Sequence, residues 1–430
     1  MNLARPLGLA LATAAMIAAS PVAAQQAPYK LGIVTFLSGA AAGPFGVPAR
    51  NAGELVIEAL NAGTLPAPYD KKGINGAPIE TVIVDEAGGT TKQVTEYRNL
   101  VQRQNVDAVI GYISSGDCLA IAPLADELKK ITIFFDCGTP RVFEDASYKY
   151  LFRTGPTATM DNVAAARYVL ARAPTTKSIA GINQNYAWGQ DSWNDFKASM
   201  EALKPGIKIT TEQFPKLLAG QYGAEISALL VDKPDAVHSS FWGGDMEALA
   251  LQGKARGLFE DRNVVLTCGE TAMYRLATQI PNGTIIGGRG PHGVFAPDTA
   301  LNRWFRTAYT DRYGAPPTYP SYKMAQAILG LKAATEKAAA GKPERPGDEA
   351  VIAAFENLSY EAPSGQVDMK IGKGHQAVQS TGYGRFKFDP ASGQPTLTDV
   401  IVYPADCVNP PEGVKSEEWI KGGFKSAKCP

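Results

Sequence analysis

Ser114 and Ser115 lie where an apolar, β-branched run, Val106-Asp-Ala-Val-Ile110, gives way to the turn Gly111–Gly116. Apolar residues at helical spacing follow from Cys118 to Lys129. A strand that ends in a Ser/Gly turn and opens a helix points backbone N–H groups and hydroxyls outward, with the positive end of the helix dipole behind them. That combination suits a small anion such as a carboxylate. The construction recurs at Thr132-Ile-Phe-Phe-Asp-Cys-Gly-Thr139, which adds Gly138 and Thr139 to the candidate donors. Ser114, Ser115 and Thr139 can equally cap the helices they precede, and the two roles are compatible. Asp117 and Asp136 lie beside this cradle, where either could be solvated or cap a helix.

Glu270 follows the apolar run Val264–Cys268. A carboxylate there can pair with an ammonium group or cap the next helix. Tyr186, Trp188, Phe241 and Trp242 fall in two predicted strand-end turns, and Phe45 in a third. Each aromatic alone would be ordinary core, but their gathering at strand ends makes them candidate walls of a ligand pocket.

Enzyme chemistry finds little support. Neither Thr35-Phe-Leu-Ser-Gly39 nor Tyr112-Ile-Ser-Ser-Gly116 is a GxSxG nucleophile elbow. Gly287-Gly-Arg-Gly290 does not complete a dinucleotide fingerprint, and no phosphate-binding GxxxxGK[ST] occurs. There is no CxxC, and His238, His292 and His375 are scattered, so no metal site and no cofactor is expected. Of five cysteines, Cys407 and Cys429 bracket a Pro/Gly-rich tail and are expected to pair. Cys118 and Cys137 stand at equivalent ends of neighbouring elements and can form a second bridge, leaving Cys268 buried.

Alternating elements must position these residues. Predicted strands at Lys30–Leu37, Pro78–Asp85, Val106–Tyr112 and Thr132–Phe135 are separated by helices near Pro48–Leu60, Thr91–Gln104 and Cys118–Lys129. The rhythm restarts after Arg153–Pro156, with strands at Lys177–Asn183, Ile207–Phe214, Ala236–Phe241 and Val264–Cys268. Such alternation implies βαβ units and parallel sheets, here in two lobes. In open α/β sheets, ligands bind outside the carboxyl ends of the strands, and the candidates above fall there. Past Ile285 the pattern turns helical, at Ala300–Tyr313, Ser321–Ala340 and Asp348–Leu358. Helices without a sheet of their own must return to an earlier lobe. Short β-like pieces follow from Gly365, notably Arg385–Phe388 and Thr398–Tyr403.

The first 24 residues carry a basic start, an apolar run from Leu7 to Ala19, and small residues at Val22 and Ala24. This is the pattern of a secretory signal cut before Gln25, in a run too short for a membrane span. No later stretch is long and apolar enough to cross a bilayer, so no insertion is expected after cleavage. With 42 basic and 42 acidic residues in no marked asymmetry, nothing favours nucleic acid as a partner.

The chain resembles the periplasmic substrate-binding proteins of ABC importers, in particular the branched-chain amino acid (leucine/isoleucine/valine-binding) family. The resemblance runs from about Lys30 to the Gly384–Phe388 region. It is carried by Phe36-Leu-Ser-Gly39 with Phe45-Gly46, Val84-Asp-Glu86 with Thr90–Val94, and Gly111–Gly116. Gly138-Thr-Pro140 with Phe152-Arg-Thr154, Asn185-Tyr186 with Gly189, Gly243-Gly244 and Gly269-Glu270 complete the series. It implies a two-lobed type I periplasmic binding protein, each lobe a mainly parallel sheet flanked by helices, hinged by three crossings. Residues 28–155 would start the first lobe, 156–284 form most of the second, 285–362 return to the first, and 363–430 complete the second with a tail. The resemblance further implies that Ser115, Gly138 and Thr139 hold a ligand carboxylate while Glu270 and Tyr186 hold its amino group. Phe45 and Trp242 would line the side-chain pocket. The expected protein is a periplasmic monomer, not an enzyme, handing an amino acid or related small carboxylate or amide to a permease and ATPase. The aromatic set suits a flatter ligand than leucine, such as an aromatic acid or amide. A ligand sensor on the same fold is a further alternative.

Overall fold

The computed structural model describes Met1 and residues 26–429. The expected signal segment lies outside the described residues. Five strands, β1 (Tyr29–Thr35), β2 (Ile79–Asp85), β3 (Ala108–Gly111), β4 (Thr132–Phe134) and β5 (Leu151–Arg153), open the chain in one sheet. Five more, β6 (Ser178–Ile182), β7 (Lys208–Gln213), β8 (Ala236–Ser239), β9 (Asn263–Leu266) and β10 (Ile285–Gly287), begin a second. Then come β11 (Ser359–Ala362), β12 (Gly365–Ile371), β13 (Gln376–Val378), β14 (Thr381–Asp389) and β15 (Gln394–Tyr403).

The first sheet runs β11-β12-β13-β5-β4-β3-β1-β2 and the second β15-β14-β10-β9-β8-β6-β7. In each, five consecutive strands pair in parallel, and an antiparallel hairpin closes one edge. The central strands β3 and β8 are buried at every residue, as strands covered by helices on both faces must be. The edge strands β2 and β7 carry Glu80 and Glu212 and stay partly exposed.

Strand order reverses between β1 and β3 in the first sheet and between β6 and β8 in the second, so each lobe has its own switch point. The chain passes between the sheets three times, after β5, after β10 and between β13 and β14. Two expected boundaries move. Strand β10 belongs to the second sheet, whereas the sequence reading returns the chain to the first lobe from 285. Strands β12 and β13 belong to the first sheet, whereas the sequence reading assigns 363 onward to the second. The cause is the open edge of β5: Gln376 of β13 pairs there with Arg153, and the hairpin β11–β12 extends that edge. Both expected disulfides, Cys118–Cys137 and Cys407–Cys429, are formed, and Cys268 is free and buried.

Candidate functional site

The carboxyl ends of the parallel strands face one another across the two lobes. Phe45 follows β1, Ile113 and Ser115 follow β3, and Asp136 and Gly138 follow β4. Opposite them stand Tyr186 and Trp188 after β6, Trp242 after β8, Cys268 after β9 and Arg289 after β10. Tyr319, at the start of the helix Tyr319–Ala339, completes the ring. The space left between these side chains is about 10 Å3, close to the room one water molecule needs. The lobes are closed on each other.

Aromatic rings form most of the wall. Phe45 meets Trp242 at 5.3 Å and Tyr319 at 5.2 Å between centroids, both edge to face. The Trp242 indole N–H donates to the Tyr186 hydroxyl at 2.7 Å, and that of Trp188 to the Ser240 carbonyl at 2.8 Å. With their polar atoms engaged behind the wall, these rings present apolar faces to the cleft.

The polar end is an ion-pair triad. Arg289 pairs with Asp136 of the first lobe and, at 2.8 Å, with Asp161 in the helix Ala158–Arg172 of the second. All three side chains are at most 3% exposed. Burial opposes the Arg289 charge, but Asp136 and Asp161 outweigh it and keep the guanidinium protonated. Burial pushes both carboxyls up while Arg289 pulls them back. The guanidinium also lies 4.7 Å over the Trp188 ring. Its backbone has φ +59, between Gly288 at +83 and Gly290 at +80. This left-handed run turns the chain sharply off β10 and carries Arg289 into the interlobe space.

Of the residues expected at the site, Phe45, Ser115, Gly138, Tyr186 and Trp242 come together around the cleft. Ser114 does not: its hydroxyl caps the helix Ser115–Glu127, accepting from the Asp117 N–H at 3.4 Å. Thr139 donates its hydroxyl to Asp191 of the opposite lobe at 2.6 Å, an interlobe contact outside the cleft lining. Part of the cradle expected for a ligand carboxylate, the amides at the end of β3, is already filled. Buried Glu86 accepts from the Ile113 N–H at 2.8 and 3.0 Å and from the Ser114 N–H at 2.8 Å. Glu270 also lies outside the lining, accepting from the Tyr319 N–H at 3.0 Å at the start of a helix. Burial pushes its carboxyl up to about 8, against the pull of that N–H. Asp117, left open by the sequence, accepts from the Thr90 hydroxyl at 2.6 Å.

The sequence missed Arg289 and Tyr319 as site residues. An arginine among glycines directly after an apolar run was the available signal for the first, by the same strand-end rule. For the second, Pro316-Pro317-Thr318 marked a helix start without saying where it lay.

A family pattern described as periplasmic binding protein matches residues 28–391. The chain belongs to that family. It is thus a binding protein and not an enzyme. This periplasmic binding protein also superposes on solved structures of the same fold. One is a solute binding protein of an ABC transporter from Rhodopseudomonas palustris in complex with benzoate: 21% identity, TM-score 0.76, covering 90% of this chain and 99% of that one. A second, from Rhodopseudomonas palustris BisB5, holds 3,4-dihydroxybenzoic acid: 21% identity, TM-score 0.75, 88% and 98% covered. A third is a leucine binding protein from Thermotoga maritima MSB8: 18% identity, TM-score 0.70, 86% and 98% covered. No curated protein matches the chain. Among the described residues no helix is long and apolar enough to cross a membrane, and no cluster of metal-ligating side chains occurs.

Proposed function

We propose that this protein is the periplasmic solute-binding component of an ABC importer, exported by its N-terminal segment. It would capture a small, flat, uncharged polar solute of the amide class between its lobes and pass it to a permease and ATPase. The observation that carries this reading is the pairing of charges in the cleft. Arg289 is flanked by two carboxyl groups, Asp136 and Asp161, so the polar end offers donors and acceptors under an aromatic roof with no net positive charge to hold a free carboxylate. An amide supplies an acceptor for Arg289 and a donor for Asp136. Glu270 stands outside the cleft lining with one oxygen held by the Tyr319 N–H, which places the expected ammonium partner of an α-amino acid away from the cleft wall.

A ligand reaching both walls, with the lobes parted from this closed form by enough to admit it, binds that nearly closed form better than the open one and shifts the population to it. The Thr139–Asp191 bond and the Gly244 N–H to Ala40 carbonyl bond, 2.9 Å, would then latch the rims. A second reading, an aromatic acid, is favoured by Arg289 in the lining and by the benzoates held in two structures of the same fold. Its carboxylate would have to take Asp136's place on the guanidinium.

Thermal shift on refolded protein, stripped of carried-over ligand, tests the choice. At a hundredfold excess over Kd, a native-state ligand stabilises by about 2.7 kcal/mol. Planar amides such as benzamide are expected to raise the melting temperature and leucine to leave it unchanged. Stabilisation by free α-amino acids that Glu270→Gln abolishes would overturn the ligand class and keep the binding role.

A further inference from the structure

A second and larger cavity, about 250 Å3, shares no lining residue with the interlobe cleft. One wall belongs to the first lobe, with Phe143 and Arg153, and to the β12–β13 turn, with Ile371 and Lys373. The other is the tail segment 410–415, which lies beyond the residues matched to the family. The Cys407–Cys429 bridge closes the tail on itself. The Ser416 N–H donates to Glu144 at 3.0 Å and Lys415 pairs with Asp145 at 2.9 Å, which moors that segment to the first lobe.

Arg153 stands out in this cavity. It is fully buried, yet among the described residues no carboxylate lies within 4 Å of its guanidinium. Nη1 donates to the carbonyls of Cys137 at 2.9 Å and Thr139 at 2.6 Å, and Nε to the Gln376 side chain. Nη2 has no partner among the described residues. Burial, reinforced by nearby Arg289, brings this arginine down to about 9, against the pull of the more distant Glu144, Asp136 and Asp191. Of the two carboxylates in the lining, Glu144 accepts from the amide and hydroxyl of Ser416 through one oxygen, and Glu412 accepts from the Lys373 N–H at 2.9 Å. Lys373 adds an exposed positive charge at the mouth. A buried guanidinium with a free edge, beside Phe143, Ile371, Pro411 and Val414, matches a carboxylate on an apolar body.

We propose that this cavity is a second binding site, for a small apolar monocarboxylate whose charge sits on Arg153 and whose body lies between the β12–β13 turn and the C-terminal tail. Such an occupant would also steady the cleft, because the carbonyls that hold Arg153 flank Gly138 of its lining.

Crystals of the full protein grown with 4-bromobenzoate test this, together with calorimetric titration of the same compound in solution. The expected result is a bromine anomalous peak beside Arg153 and a binding event in solution weakened at least tenfold by Val414→Trp. That substitution, at a position 38% exposed, fills the cavity from its mouth without touching the core. Arg153→Gln should abolish the same event; if it fails to fold, Val414→Trp carries the test alone. A bromine peak only in the interlobe cleft, no peak at all, or solution binding indifferent to Val414→Trp would each overturn the proposal. The interlobe ligand, read separately with benzamide, is expected to bind the Val414→Trp protein within about twofold of the wild type, so failure of one site does not imply failure of the other.

Discussion

At the scale of single residues, two buried ionisable groups have testable consequences. Burial holds the Glu270 carboxyl at about 8 in the folded protein, against an ordinary value of 4.5. Between those values the folded protein holds a proton that the unfolded chain releases, so this group's contribution to stability falls as pH rises. Glu270→Gln removes that dependence. The melting temperature of the variant minus that of the wild type should therefore increase from pH 5 to pH 9. The change should be equivalent to a few kcal/mol, since a tenfold difference in proton affinity is worth ~1.4 kcal/mol. His292, 3.7 Å away, is held down to about 3 by burial and stays neutral across that window. The second group is Arg289. Arg289→Met strands Asp136 and Asp161 in the interior and should cost about 3–5 kcal/mol in urea denaturation at pH 8. At pH 5 the loss should be smaller, because the stranded carboxyls take up protons.

At the scale of elements, the turn after β10 decides where Arg289 points. Gly288 has φ +83, and a Cβ there would stand 2.9 Å from the Tyr383 hydroxyl and 3.0 Å from Thr267 Cγ2. Gly288→Ala combines backbone strain with crowding and should destabilise by about 1–3 kcal/mol. Because the same turn carries Arg289, cleft ligand affinity should fall with it. Chemical denaturation and ligand titration on one preparation read both effects.

At the scale of the whole molecule, closure depends on how closely the lobes approach at Gly138. A Cβ on Gly138 would fall 2.1 Å from the Trp188 ring and 2.8 Å from Arg289 Nη1. Trp188 comes from the second lobe, so Gly138→Ala acts as a wedge that is harmless when the lobes part. The variant should keep its stability, show a larger radius of gyration by small-angle X-ray scattering with saturating ligand, and bind more than tenfold more weakly, or at least ~1.4 kcal/mol. A variant that closes and binds normally would remove Gly138 from the closing surface.

The sequence by itself determined the two α/β lobes, since the periodicity of apolar runs is local and survives without neighbours. The strand-end rule then brought Phe45, Ser115, Gly138, Tyr186 and Trp242 into one place, because a residue just past a buried strand has few other places to go. The tertiary structure decided what those positions are free to do. Glu86 reaches the amides of Ile113 and Ser114 from 27 residues away along the chain and occupies them. Tyr319 arrives from 49 residues beyond Glu270 and engages one oxygen of its carboxylate. Arg289 finds Asp136 across the lobes, 153 residues away. A sequence pattern displays which groups can donate or accept, but a buried polar group binds whichever partner the packing delivers, and that choice is made between distant segments.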